Sequence, residues 1–389
     1  MLYGATVASR KTPNPFHYGD LALDEAFTDR EQELAALIAD VRNGQNVAII
    51  APRRFGKSSL VKRATQSLLA EGVLVVEVDL MSTPTKAKLA AKLAKSIHDD
   101  VATVLMKAKE RLRIFANLRV VPMVTVNPQD GSTTFSFTAS MGEEDIDDTL
   151  DHLLELPAQL AADQGKRVVV YFDEFQEVIN IDPRLPARMR AIFQTQPEVA
   201  HIYSGSKRDM MQRLFNDENE PFYRSAKTME IGEIPEPLFK EFVAKQFDRT
   251  DRGVSDDVLD RLLAVTHGHP YATQELAYAL WEEVPDGFTA TVADFDDALA
   301  AVLRAEHAHF TLLWDRASRA QRIVLQALAT EPGRPFTDGY RQKHQLPSAS
   351  GVQRALRALV DDELVAKRPD GSYDLSEPFL REWIRAFVL

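Results

Sequence analysis

The chain reads as an α/β protein: a parallel sheet with covering helices over residues 1–232, a block of helices over 233–304, and a third segment over 305–389. Three observations predict this. Short apolar runs such as Val47-Ala48-Ile49-Ile50 and Val168-Val169-Val170-Tyr171-Phe172 alternate with helical periodicity, as in strands buried on both faces. From about Glu233 only helical periodicity remains. The tail then returns to mixed elements, with two short strands around Pro369-Asp370-Gly371.

Taken in order, the lead-in over 1–27 is rich in turn formers, with Pro13, Asn14, Pro15 and Gly19. Thr28 or Asp29 can cap a helix from about Arg30 to Arg42, with Leu34, Leu37, Ile38 and Val41 on one face. A strand over Asn46 to Ala51, a helix from Lys57 to Glu71 and a strand over Val73 to Leu80 make a βαβ unit. A long helix is predicted from Thr83 to about Glu110. Two strands, Val120 to Val126 and Thr133 to Ala139, flank a turn-rich loop and break the alternation, so a hairpin is inserted at about 115–142. Its alternating pattern exposes Phe135 and Phe137, either as an edge addition or as a docking surface. A helix from Asp145 to Asp163, the strand Arg167 to Phe172, a helix from Pro183 to Thr195 and strands at Val199 to Ser204 and Thr228 to Ile231 complete the first segment.

Four helices follow, at Pro237 to Arg249, Ser255 to Thr266, Pro270 to Val284 and Val292 to Arg304, with Ser255 and Asp294 in first-turn positions. The tail runs helix (Ser318 to Leu328), helix (Ser350 to Asp361), two strands and a last helix over Phe379 to Phe387. That order suits a winged helix.

Composition narrows the function. Of the 389 residues 45% are hydrophobic and 27% charged, the balance of a folded soluble protein, and no apolar run approaches a membrane span. No secretory signal is legible at the start, and the absence of cysteine removes disulfides, thiolate metal sites and a Cys nucleophile. A cytoplasmic protein is expected. The formal charge of −12 disfavours a surface that attracts nucleic acid everywhere, while leaving room for a local basic face.

The chemistry concentrates in three places. Ala51-Pro52-Arg53-Arg54-Phe55-Gly56-Lys57-Ser58 matches the phosphate-binding template G-x-x-x-x-G-K-[ST] except at Ala51. A loop between a buried strand and a helix turns several N–H groups toward one point, where the helix dipole favours phosphate oxygens. Gly56 allows close approach, Lys57 neutralises the β- and γ-phosphates, and the Ser58 hydroxyl can ligate Mg²⁺. Next, Asp173-Glu174 ends a buried strand, where ligands of parallel sheets bind. Asp173 can hold Mg²⁺ through water and Glu174 can act as general base, unless the pair only caps a helix. Third, Ser204-Gly205-Ser206 ends the following strand; either serine could sense the γ-phosphate, or the segment is a plain turn.

These motifs, together with Phe27-Thr28-Asp29-Arg30-Glu31, Ser59-Leu60, Asp173-Glu174-Phe175-Gln176 and His267-Gly268-His269-Pro270, resemble those of the archaeal-type ATPases, the STAND branch close to the AAA+ class. The resemblance covers the chain from about Pro15 to its end. It implies an ASCE-type P-loop NTPase core with strand order 5-1-4-3-2, a helical lid and a C-terminal winged helix, to which the residue pattern adds the inserted hairpin. It also implies that Arg30 packs near the adenine, although Asp29 stands where the family has glycine, and that His269 and Pro270 approach the nucleotide from the lid. His269 could equally be a plain helix-start residue. Pro52, Arg53, Arg54, Phe55 and Ser59 belong to the nucleotide loop, and Arg53, Arg54, Arg208 or Arg224 could serve as an arginine finger, Arg224 first among those outside the loop.

The expected activity is Mg-dependent ATP hydrolysis driving a switch between core, lid and winged helix that controls partner or self assembly. The second reading is an ATP-dependent DNA-binding regulator that uses Arg354, Arg357, Lys367 and Arg368, with Arg341 and Lys343 nearby.

Overall fold

The computed structural model describes residues 13–19, 30–102, 115, 123–127, 129, 133–136, 142–368 and 370–389. The cap expected at Thr28 or Asp29, the helix expected beyond residue 102, and Phe137 with the outer parts of the hairpin lie outside the described residues. The chain forms two compact units, Arg30–Gly232 and Met1–Asp29 with Glu233–Leu389.

In the first unit, helix α1 (Glu31–Arg42) buries Leu37 and Val41 and precedes β1 (Val47–Ile50). Helix α2 (Lys57–Ala70), β2 (Leu74–Asp79) and α3 (Lys86–Ser96) follow, the last capped by Thr85 and continued as one wider π-type turn over Ile97–Ala102. The hairpin strands β3 (Met123–Val126) and β4 (Thr133–Ser136) pair antiparallel. Then come α4 (Glu143–Gln164), β5 (Val168–Asp173), α5 (Val178–Ile181), α6 (Leu185–Phe193), β6 (Val199–Gly205), α7 (Arg208–Asn216) and β7 (Lys227–Glu230).

The five-stranded sheet is ordered β2-β5-β6-β1-β7, every pair parallel. Counting only these strands along the chain gives 5-1-4-3-2, the predicted order. The central strands explain their own composition. Val47, Ala48, Ile49 and Ile50 are all fully buried, as are all seven residues of β6, because helices cover both faces. Each large apolar side chain so buried contributes roughly 1.5–3 kcal/mol. Edge strand β7 is more polar and half-exposed.

One expectation about the hairpin changes here. Phe135 is not exposed: it is 5% accessible and packs against His98 and Phe115, so the inner face of the hairpin covers the core. Alternation marks two faces without saying which one is wet. His201, centrally placed on β6, stacks on Phe193 at 4.0 Å.

Burial pushes His201 down to about 3, so it is neutral when folded. A base depressed in the folded state contributes stability that is full above its unfolded value and is lost as pH falls from near 6.5 toward 3. Between pH 7 and pH 5 the parent should lose about 2 kcal/mol through this group. His201→Leu should lack that part of the slope in urea denaturation; equal slopes would contradict the assignment.

The second unit holds Asn14 to Tyr18 of the lead-in, which the sequence grouped with the first segment. Phe16 is 1% exposed and its ring lies 5.5 Å from Phe247. Helices α8 (Glu236–Asp248), α9 (Asp256–Thr266) and α10 (Pro270–Glu283) follow, tied by a short parallel pair, β8 (Gly253–Val254) with β9 (Thr289–Ala290). Arg252 lies 3.5 Å over the Trp281 ring and donates to the Val284 carbonyl, closing this layer. Helix α11 (Val292–Arg316) starts from a Thr291–Asp294 capping box and runs 25 residues, so the expected end at Arg304 and the 304/305 boundary fall inside one helix.

The tail comprises α12 (Arg319–Thr330), α13 (Asp338–Lys343), α14 (Ala349–Asp361), β10 (Val365–Lys367), β11 (Tyr373–Leu375) and α15 (Pro378–Phe387). Strands β10 and β11 pair antiparallel as the wing. Helix α15 carries Arg381 into contact with Asp374 of the wing, both 3% exposed.

Candidate functional site

The site is built at the carboxyl end of the parallel sheet in the first unit. After β1 the chain turns through Pro52 to Gly56. Arg54 adopts φ 64° and Gly56 φ 84°, so two left-handed residues reverse the chain into α2. Arg53, Arg54 and Ser58 are exposed, while Phe55 and Ser59 are buried and anchor the turn. Pro52 and Gly56 lie between these extremes. No side chain caps α2 and its first turn carries no acid, so the positive end of this helix is left uncovered by the described residues. A residue other than glycine at position 56 would be strained by the backbone angle, not by crowding, since nothing lies within 4 Å of a Cβ there.

Lys57 is only 6% exposed. Its Nζ donates to the Ala51 carbonyl at 3.1 Å and the Pro52 carbonyl at 3.5 Å, and it lies 3.9 Å from Glu174 Oε1. An ammonium held mainly by backbone carbonyls, at an open helix N-terminus, suits a polyphosphate.

Asp173 and Glu174 close β5. Asp173 Oδ1 accepts from the Glu174 N–H at 3.0 Å and from the Ser204 hydroxyl, which also bonds the Tyr171 hydroxyl at 2.9 Å. Ser204 therefore fixes Asp173. Glu174 adopts the left-handed φ of 51°. Its Oε2 accepts from Gln176 Nε2, from the Ser206 hydroxyl at 2.8 Å and from the Ser206 N–H at 3.3 Å. Burial works against the ionised carboxylate, but the bonds from Gln176 and Ser206 and the charge of Lys57 prevail and hold Glu174 below the usual range. It is a carboxylate at neutral pH.

The turn is anchored from below. Phe175 is fully buried among Tyr203 at 4.5 Å, Phe222 at 5.1 Å and Phe215 at 5.8 Å. Gly205 must be glycine for a related reason. A Cβ there would lie 2.3 Å from Gln176 Oε1 and 2.5 Å from Met211 Cγ. Gly205→Ala should cost about 1–3 kcal/mol in chemical denaturation; an unchanged midpoint would contradict this packing.

The structure thus brings Lys57, Asp173, Glu174, Ser204 and Ser206 together. Gln176, quoted in the sequence only as part of a string, is the contact the residue pattern missed. Its Oε1 is buried and has no partner among the described residues. Arg30 is 7% exposed, pairs with Glu33 at 3.1 Å and donates to the Gly232 carbonyl. Arg224 is exposed at φ 50° with its guanidinium 5.3 Å over the Tyr223 ring, so its side chain is held by Tyr223. His269 and Pro270 belong to the second unit, where His269 Nδ1 caps α10 by accepting from Ala272 N–H at 3.2 Å. Gly268 precedes them at φ 72°, and a Cβ there would lie 2.3 Å from the Ile234 carbonyl oxygen.

Among the described residues no helix is long and apolar enough to cross a membrane, and no group of three or more His, Cys, Asp or Glu could hold a metal by itself. A hydroxyl and a carboxylate, as Ser58 and Asp173 would supply, suit a magnesium ion only with substrate oxygens and water completing the shell.

Comparison with known proteins places the chain in a family. Residues 27–276 match the family model described as "ATPase domain predominantly from Archaea", and residues 308–386 match "Probable winged helix domain". Among solved structures the chain is similar to the Walker-type ATPase of Pyrococcus abyssi, at 16% identity and TM-score 0.64, over 94% of this chain and 97% of that one. It is also similar to the Aeropyrum pernix ORC1 protein, solved in complex with DNA, at 12% identity and TM-score 0.48, over 94% of each chain. The Thermotoga maritima RuvB Holliday junction branch migration motor matches at 12% identity and TM-score 0.42, over 90% of this chain and 93% of that one. No curated protein matches the sequence. With a nucleotide loop, an acidic strand end and the predicted sheet order all inside the matched segment, the chain belongs to the family of ATPase domains found predominantly in Archaea and is an ATP-hydrolysing P-loop enzyme carrying a C-terminal winged helix.

Proposed function

We propose that this chain hydrolyses ATP at the loop Pro52–Ser59 and uses the nucleotide state to switch the relation between its core, its helical lid and its winged helix, so controlling assembly with a partner or with itself. The observation that carries the reading is the bonding of Glu174. In this arrangement its carboxylate is held by Gln176 and Ser206. A γ-phosphate bound between Lys57 and Ser206 competes for the Ser206 hydroxyl and the Lys57 charge, releasing Glu174 to take a proton from the attacking water.

Lys57 neutralises the β- and γ-phosphates, and Arg53 and Arg54 reach the γ-phosphate or a neighbouring subunit. Ser58 and, through water, Asp173 would hold Mg²⁺, which supplies charge neutralisation across the phosphates. Arg224 is the finger candidate toward a second copy. Arg30 beside the adenine, with His269 and Pro270 from the lid, completes the nucleotide contacts, in the manner of the STAND and AAA+ proteins.

A switch is supported by the place of Arg30. Arg30 and Gly232 are the first and last residues of the first unit, and Arg30 donates to the Gly232 carbonyl, joining its two ends. A ligand that engages Arg30 acts on both at once. Small-angle scattering of Glu174→Gln, which should bind ATP without turnover, is expected to give different profiles with ATP and with ADP. Superimposable profiles would contradict the switch.

A second reading, an ATP-dependent DNA-binding regulator, is favoured by Arg354 and Arg357, exposed on α14, with exposed Lys367 and Arg368 on the wing. A duplex shift that weakens with salt and is lost in Arg354→Ala/Arg357→Ala would support it; retention in that variant would remove it.

A further inference from the structure

Away from the nucleotide loop, the second unit contains a recess of about 710 Å³ between the end of α9, the wing and α15. Arg334, Arg368, Arg381 and Arg385 line it against two carboxylates, Asp370 and Asp374, with His267 at its edge. The ion pairs account for only part of this charge. Asp374 serves both Arg368 and Arg381, Asp370 Oδ1 accepts from the Ser372 N–H at 2.9 Å and from its hydroxyl at 2.6 Å, and Arg385 Nε donates to the Ala329 carbonyl at 2.8 Å. Arg385 also pairs with Glu382 at 2.7 Å, so three guanidiniums face the two carboxylates, leaving an excess of one positive charge.

A second, independent observation points to a ligand. Arg381 is 3% exposed, yet its Nε–H has no acceptor among the described residues. Buried donors are nearly always paired, and an orphaned one calls for an occupant. Arg334 and Arg368, by contrast, are exposed, so the cationic groups run from the surface to the buried Arg381.

The geometry points to a binding site for a small phosphorylated molecule, its phosphate oxygens held by the Nε–H of Arg381 and by the guanidiniums of Arg368 and Arg334. Planar guanidiniums match phosphate oxygens two at a time, and the volume lies in the range of small-molecule sites. The innermost charge is too buried for the backbone of a rigid duplex to reach, which separates this site from a DNA-reading face. Such a ligand bridges the wing to α9 and makes the second unit responsive to a metabolite independently of ATP.

The test uses the full chain carrying Lys57→Ala, so that phosphate uptake at the nucleotide loop is suppressed, with inorganic pyrophosphate as the probe in calorimetry. One saturable site is expected. Arg334→Gln and Arg368→Gln, both surface changes, should each weaken it at least about tenfold. Arg381→Lys keeps a charge for Asp374 but removes the Nε donor, and should weaken it similarly; should that variant fail to fold, the two surface variants decide. Absence of saturable uptake, or uptake indifferent to Arg334 and Arg368, overturns the site. A twenty-base-pair duplex that displaces the pyrophosphate overturns the small-molecule assignment in favour of a DNA backbone. Loss of ATP uptake on Lys57→Ala in the otherwise unchanged chain is a separate readout, so the fate of the nucleotide loop does not decide this one.

Discussion

Glu174→Gln is expected to lower ATP turnover by about 10²–10⁴ while leaving ATP affinity nearly unchanged. The amide keeps the size of the side chain and can still bond Ser206, so the fold around Phe175 has no reason to change. What is lost is a carboxylate that Gln176, Ser206 and Lys57 keep ionised despite its burial. Because Glu174 is held below the ordinary carboxylate range in the free chain, the kcat/KM of the parent should not fall through protonation of this group until the pH is below that range. Steady-state phosphate release with parallel nucleotide binding checks both parts. Turnover that survives the substitution would remove Glu174 as the base, and affinity lost together with turnover would mean that the residue shapes the pocket instead.

Lys57→Ala should act earlier in the cycle. The ammonium sits between two backbone carbonyls and Glu174, and no other lysine shares this place in the loop. Its loss removes the charge-assisted bonds to two phosphates, each worth about 1.5–3 kcal/mol. ATP binding should fall by about 10²–10⁴ and turnover with it. The protein should stay folded, since Ala51 and Pro52 keep their backbone places and the strands beneath are fully buried. Circular dichroism and a hydrolysis assay at several ATP concentrations separate these outcomes. Recovery of the parent rate at high ATP would show that Lys57 acts in binding alone.

Much of the fold was legible because buried parallel strands write themselves as unbroken apolar runs. The βαβ unit, the strand ending at Asp173 and the wing all follow from such runs and their turns, and the sheet order agrees with the resemblance that suggested it. The misses have local causes. Nothing between Arg304 and Arg316 breaks a helix, and α11 runs straight through the expected end at Arg304. Helix α13 has no buried residue and so no periodic signal. Phe135 was assigned to the wrong face because a two-residue period is symmetric.

At the site, Lys57, Asp173 and Glu174 were readable from motif and flank, since each chemistry needs that residue type at a strand end or helix start. The bond from Gln176 to Glu174 was not, because it depends on a left-handed turn at Glu174 and on the room that Gly205 leaves. Both Ser204 and Ser206 are candidates in the sequence, with Ser206 preferred as the catalytic one. The structure separates them: Ser204 bonds Asp173 and Ser206 bonds Glu174.

Equilibrium titration of Mg-ATP into the parent, Lys57→Ala and Glu174→Gln chains, side by side, tests the shared site most directly. The parent and Glu174→Gln should take up one nucleotide per chain with closely similar affinity, and Lys57→Ala should take up almost none at the same concentrations. A Lys57→Ala chain that binds as the parent does would place the nucleotide somewhere other than the loop between β1 and α2.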